Sequence, residues 1–360
     1  LVSAKLRRSQ ATFIAGETSR FGINYRTMRI VVDAMGGDNA PDEIVLGAAN
    51  AARATKDVQI CLVGDQRRIK ALLPARSTVE ISHCDDYFRM DEHAGPGLRG
   101  RKQASMMVAA RMIKEGEAQA FVCAGNTGAL HQVAALEIGR IKGIRRSALA
   151  AVFPTRPAES LALDVGANAD CKPEYLVQFA TMGSIYAEKV MGKKKPRVAL
   201  LNIGNEESKG NALVLASREL LAKLEGINFV GNVEPTGFFN GEVDVAVCDG
   251  FVGNMMLKTS EAVAEWLMHR VREAAMRTPA AKLGGHLLKP SLKTLRQEIN
   301  HSEHGGAVLL GLKGVVIKCH GRATADTIEN GIKVAARALR NRVVELIEES
   351  HKESGQEISV

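Results

Sequence analysis

The chain has 360 residues, 46% hydrophobic and only 4% aromatic, with 34 glycines. This suits an α/β enzyme with one large core or two smaller ones. No apolar run reaches the ~18 residues of a membrane-spanning helix, and the expectation is a soluble or peripherally bound cytoplasmic protein. A net charge of +8 fits an anionic ligand, an acidic partner or an anionic surface; nucleic acid is disfavoured because no basic stripe interleaved with aromatic residues is present.

Residues 1–27 carry Lys5, Arg7, Arg8, Arg20 and Arg26 against Glu17, without periodicity. They read as a disordered N-terminal extension, or as a targeting peptide, although a secretory apolar core is lacking. A single α/β domain is expected over 28–350, opening at "MRIVVDAMGGD".

Apolar strand-like runs then alternate with helical patterns. "RIVVDAM", "VQICLVG", "AFVCA", "ALAAVF", "LALDVG", "RVALLNIG", "INFVGN" and "VDVAVCDG" read as strands, and 41–54, 102–116, 172–191 and 208–224 as helices. Leu176, Phe179, Gly183, Tyr186 and Val190 form one helical stripe; Ile328, Ile332, Ala335, Leu339, Val343 and Ile347 form another within 323–349. Buried strands alternating with helices predict a mostly parallel sheet covered on both faces. The scattered cysteines lack a CxxC pair and read as buried free thiols of a reducing compartment.

Ligands of such sheets bind at strand carboxyl ends. Five strands end in Gly, Asn or Asp loops, at Asp33, Gly125, Asp164, Gly204 and Asp249, which predicts one shared polar cleft. The loop Gly125-Asn126-Thr127-Gly128 fits an anion held on backbone amides, or a plain turn capped by Asn126 or Thr127. Lys209 fits a phosphate point charge or a solvated lysine beside Glu206 and Glu207. Asp249 fits an orienting or metal-binding carboxylate or a helix cap, and Asn254 fits an oxyanion donor. No bound metal is expected: His301, Glu303 and His304, or His83, Cys84, Asp85 and Asp86, lack a zinc pattern.

A long helical pattern at 255–276 runs into "TPAAKLGGHLLKPSLKTLRQEIN". Leu283, Leu287, Leu288 and Leu292 alternate there with Lys282, Lys289 and Lys293. Over 255–300 this predicts a protruding helical hairpin whose tip offers an apolar, basic surface to a membrane, or packs in a dimer or as ordinary core.

The blocks "MRIVVDAMGGDNAP", "AGNTGAL", "GRIKGIRRSALA", "LDVGANADCKPEYLVQFA", "LLNIGNEESKGN", "FVGNVE", "DGFVGN" and "GLKGVVIKCHG" follow in order across 28–345. Together they resemble the phosphate acyltransferase family of bacterial phospholipid synthesis. The resemblance implies a Rossmann-like fold related to phosphotransacetylase and to isocitrate and isopropylmalate dehydrogenases, and a dimer at the membrane surface. It implies transfer of a fatty acyl chain from acyl carrier protein to inorganic phosphate, without a cofactor. Two segments depart from the family: "RGRKQASM" is thinned by Gly100, Gln103 and Ala104, and His304 replaces a common Tyr.

Phosphate is substantially dianionic near neutral pH, its pKa of ~7 lying close to that of phosphoesters, so it attacks a thioester without a strong base. The implied roles follow. Gly125–Gly128 cradle phosphate, Lys209 neutralises it or the oxyanion, Asn254 donates to the carbonyl oxygen, and Asp249 orients either. Asp33, Asp164, Asn168 and His320 form a second tier. Arg99, Arg101, Lys102, Arg140, Lys142, Arg145 and Arg146 are candidates for docking the acidic carrier. The alternatives are an NAD- and metal-dependent dehydrogenase relative, for which Asp244 and Asp249 leave an opening, and a non-catalytic membrane adaptor.

Overall fold

The computed structural model describes residues 28–353 except 93, 94, 96, 97 and 99; the expected extension 1–27 and Arg99 lie outside the described residues. Eleven strands form one sheet in the order β3-β2-β1-β4-β11-β10-β5-β6-β9-β7-β8. The strands are β1 Met28–Asp33, β2 Val58–Gly64, β3 Glu80–His83, β4 Ala120–Cys123, β5 Ala148–Phe153, β6 Ser160–Leu163, β7 Arg197–Leu201, β8 Asn228–Val233, β9 Val245–Val247, β10 Ala307–Leu310 and β11 Val315–Lys318. The sequence-based set lacks β3, β10 and β11.

Register can be followed from β1 to β7, and the β7–β8 pair shifts register between Val198 and Leu200. Val32 pairs with Val122, Val122 with Ile317, Ile317 with Val308, Val308 with Ala150, Ala150 with Leu163, Leu163 with Val247, and Val247 with Leu200. The pairs β11–β10, β10–β5 and β5–β6 are antiparallel and the rest are parallel. This centre reverses the strand sense between the two halves. Strands β1, β4 and β11 therefore end at one edge, and β6, β9 and β7 at the opposite edge. The expected gathering of all five strand-end loops at one edge is corrected: Asp33 and Gly125 leave one side, and Asp164, Gly204 and Asp249 the other.

Alternation along the strands splits the core in two. Ile30, Val32, Val122 and Ile317 point into one layer with helices α1 (Asp42–Ala54), α5 (Pro173–Lys189), α10 (Ala325–Arg340) and α11 (Val343–Glu353). Phe121, Cys123, Val316, Leu309 and Ala151 point into the other, with α3 (Ser105–Lys114) and α4 (Thr127–Val133). The single helix expected over 323–349 is two, broken at Asn341 and Arg342, the latter at φ 51°. After α5 the chain adds α6 (Ala212–Leu221) and α7 (Pro235–Phe239), and α2 (Gln66–Leu72) follows β2.

The hairpin is present. Helix α8 (Gly250–Met276) packs on α9 (Pro279–His304), with Thr278 capping α9 through the Ala281 N–H at 3.1 Å. Its bend is Arg277–Thr278, so the leucine-lysine segment is the flank of α9 rather than the tip. Gly285 permits the close pairing, since a Cβ there would lie 2.8 Å from that of Ala275. Leu283, Leu287, Leu288 and Lys289 are exposed and Leu292 is half-buried. No described helix is long and apolar enough to cross a membrane.

Candidate active site

At the first edge, the loop after β1 is pressed against the loops after β4 and β11. A Cβ on Gly36 would sit 2.9 Å from Gly125 Cα, and the Asp38 N–H donates to Gly321 O at 2.7 Å. Asp33 turns this loop by accepting the Met35 N–H at 3.1 Å. Its carboxyl is fully buried, and desolvation raises its pKa above the ordinary 3.8 despite that bond.

Asn126 caps α4, accepting the Ala129 N–H at 3.0 Å and donating to Met90 O at 3.0 Å. Its side chain is spent on structure. Thr127 and Gly128 are exposed, and as first-turn residues their N–H groups have no intrahelical acceptor. His320 sits at the same edge and receives the Arg322 N–H on Nδ1 at 3.1 Å. Partial desolvation, then the Lys258 ammonium, hold its pKa below 6.5.

At the second edge, Asp164 is buried and accepts five donors. Its Oδ1 takes the N–H groups of Leu149, Gly166 and Ala167 at 3.0, 3.1 and 2.9 Å; its Oδ2 takes the N–H and Nδ2 of Asn168, both at 2.7 Å. Burial still raises its pKa. Asn168 also donates to Ser147 O at 2.8 Å. Asp249 caps α8 through the Val252 N–H at 2.8 Å, which spends one carboxylate oxygen. Asp244 precedes β9 and bonds Arg197 Nε at 3.0 Å, while Asp249 follows β9; the two acids frame no common metal site.

Asn254 is exposed beside Gly166, where a Cβ would meet Asn254 Oδ1 at 3.3 Å. Lys209 is exposed in the loop after β7, three residues ahead of α6 rather than in the helix start predicted at 208. Its carbonyl accepts Asn202 Nδ2 at 2.9 Å, and a Cβ on Gly204 would meet Lys209 Cγ at 2.9 Å.

Two helices on one face link these edges. From the Gly125–Gly128 end, α4 carries His131, whose Nε2 lies 3.1 Å from Ser147 Oγ at the second edge. Burial lowers the His131 pKa, the nearby Asp164 opposing, which favours neutral imidazole. From the Asn254 end, α8 carries Lys258 to the neighbourhood of His320 and Lys318. Met256 and Leu257 of α8 pack on the same core layer as Leu130 and Val133 of α4. The sequence reading missed His131, Ser147 and Lys318: a histidine one turn past a loop and a lysine ending an apolar strand carry no spacing signal.

The basic candidates divide. Arg101 Nε bonds Asp86 at 2.9 Å, its guanidinium also bonds Glu92, and it lies 4.6 Å over the Phe88 ring. Lys102, Arg140, Lys142 and Arg146 are exposed, with Arg146 5.7 Å over Tyr175.

Residues 28–346 match the family described as "Fatty acid synthesis protein". A phosphate acyltransferase of Gloeothece citriformis is 47% identical over 334 residues, covering 91% of this chain and 95% of its own. That of Pelotomaculum thermopropionicum is 46% identical, covering 90% and 95%. Among solved structures, a phosphotransacetylase from Streptococcus pyogenes superposes with a TM-score of 0.58 at 16% identity, over 87% of this chain and 94% of that one. The EutD phosphotransacetylase from Staphylococcus aureus gives 0.55 at 17%, with the same coverage. These two likenesses concern the fold alone. By sequence across nearly all its described length, the chain belongs to the phosphate acyltransferase family.

Proposed function

We propose that the protein transfers a fatty acyl group from acyl carrier protein to inorganic phosphate, releasing acyl phosphate for phospholipid synthesis. The observation that carries this reading is Asn254 standing against Gly166 at the start of α8, above the fully bonded Asp164–Asn168 loop. That places an amide donor on a rigid base, next to the strand end that carries Lys209. No hydrolase-type nucleophile is required.

In the reaction a phosphate oxygen attacks the thioester carbonyl. Asn254 Nδ2 donates to the oxyanion as it forms, and Lys209 offsets the accumulating negative charge. The intermediate collapses by C–S cleavage. The carrier thiolate takes the proton of monohydrogen phosphate and leaves as thiol, and acyl phosphate remains. The exposed first-turn amides of Thr127 and Gly128 offer phosphate a further hold along the face between α4 and α8.

The acidic carrier docks on the exposed basic residues Arg140, Lys142 and Arg146. Exposed Leu283, Leu287 and Leu288 beside Lys289 suit an anionic membrane surface on the cytoplasmic side. Exposed Val263, Trp266 and Leu267 form a stripe on α8 that suits a second copy of the chain.

Free carrier thiol released from palmitoyl-acyl carrier protein, with and without phosphate, tests the reading in wild type and Lys209→Ala. Phosphate-dependent release lost in a folded variant supports it. Absence of release in the wild type removes the substrate assignment; equal release in both discards Lys209.

A further inference from the structure

Lys318 ends β11 opposite Cys123 of β4 and is 9% exposed. Its ammonium donates to Ala124 O at 3.4 Å and to Cys319 O. Among the described residues no carboxylate forms an ion pair with it. The buried carboxyl of Asp33 stands at the same level two strands away, about 10 Å by strand spacing. Between them the Cys123 thiol donates to Asp33 at 3.5 Å.

A desolvated ammonium whose partners are only carbonyl oxygens is costly, and an apolar side chain of similar length would fill the same space more cheaply. Burial accordingly pushes the Lys318 pKa below 10.5. The surroundings place no carboxylate on Lys318: Lys258 of α8 adds positive charge but is itself paired with Glu261 at 2.6 Å, and Asp38 acts on Lys318 more weakly than Lys258 does. His320 and Arg322 stand on the loop that follows directly. Ala124 O, which the ammonium contacts, immediately precedes the Gly125–Gly128 loop. A buried cation without a carboxylate partner, the Lys258–Glu261 pair (2.6 Å) and an imidazole thus meet at one end of the face between α4 and α8, and Lys318 is the charge left unmatched there.

We propose that Lys318 is an anion-binding residue: its ammonium holds a phosphate-type oxyanion at this end of the site, beside the loop that carries His320. The proposal rests on the acyl-transfer reading for its biological ligand. Inorganic phosphate and the phosphodiester on a carrier arm share this chemistry.

The test is Lys318→Met in the full chain, read in two ways. Thermal melting is followed with inorganic phosphate or with chloride at matched ionic strength, and initial rates are taken while phosphate and acyl donor are varied in turn. Wild type gains melting temperature from phosphate. Lys318→Met melts at or above the wild-type temperature in chloride, loses the phosphate gain, and shows a KM raised about tenfold or more for one substrate with kcat little changed. A raised phosphate KM assigns the site to inorganic phosphate, and a raised donor KM to the carrier arm.

An unfolded variant makes the ammonium purely structural and overturns the proposal, as does a folded variant that keeps both the phosphate gain and both KM values. A wild type that uses phosphate catalytically but gains no melting temperature from it overturns the proposal alone. A wild type stabilised by phosphate through Lys318 but unable to transfer acyl groups overturns the acyl-transfer reading instead.

Discussion

Gly250 donates its N–H to the carbonyl oxygen of Asn168 at 2.7 Å, and a Cβ on Gly250 would fall 2.6 Å from that same oxygen. Helix α8 can begin where it does because this contact has no side chain in it. One turn on, a Cβ on Gly253 would lie 1.9 Å from Asp164 O. The two glycines seat the helix on the loop held by the Asp164 carboxyl, and Asn254 inherits its position from that seating.

Gly253→Ala therefore forces α8 off the loop. The expected loss is about 1–3 kcal/mol, as for other overpacked sites, together with a fall in kcat because Asn254 moves. Thermal melts and steady-state rates check this; an alanine variant with wild-type stability and kcat would show that the seating is not required.

Asp33 gives a pH-dependent prediction. Its folded-state pKa is raised by burial, so the folded chain holds this proton more tightly than the unfolded chain. The associated stability is present below the unfolded value of 3.8 and is lost as pH rises through the folded value. Asp33→Asn, which can keep the Met35 contact, should melt above wild type at neutral pH, with the gap closing as pH falls towards 3.8. A gap independent of pH would contradict the assignment.

Much of this was legible in the sequence, for physical reasons. Continuous apolar runs such as "VQICLVG" mark strands buried on both faces, and the stripe from Leu176 to Tyr186 is buried as its spacing implies. Asn126 and Asp249 cap helices, the plainer of their two readings. The sense of the strands was not legible: β10 and β11 are absent from the sequence-based set, and it is the antiparallel pairing of β5 with β6 that separates the Asp33 edge from the Asp164 edge. Lys318 was equally hidden, because its environment is made by Ala124 and Cys123 from a strand nearly 200 residues away.

The basic residues should separate by role. Arg101→Ala breaks the contacts to Asp86, Glu92 and Phe88 and should cost about 1–2 kcal/mol. Arg140→Ala and Arg146→Ala should leave the melting temperature nearly unchanged but raise the KM for acyl carrier protein and weaken its salt dependence. Unchanged carrier kinetics in both variants would move the docking surface elsewhere.

On α9, Leu287 is 72% and Leu288 56% exposed. Leu287→Ser with Leu288→Ser should abolish cosedimentation with anionic vesicles and change stability by less than about 0.5 kcal/mol. Retained vesicle binding would count against this face.

The most direct test of the central claim is trapping the product with hydroxylamine as acyl hydroxamate, in wild type, Lys209→Ala and Asn254→Ala. The account predicts phosphate-dependent hydroxamate equal to the thiol released by wild type, and a fall of about 10²–10³ in kcat for Asn254→Ala. Thiol release without hydroxamate, or full rates in both variants, would contradict it.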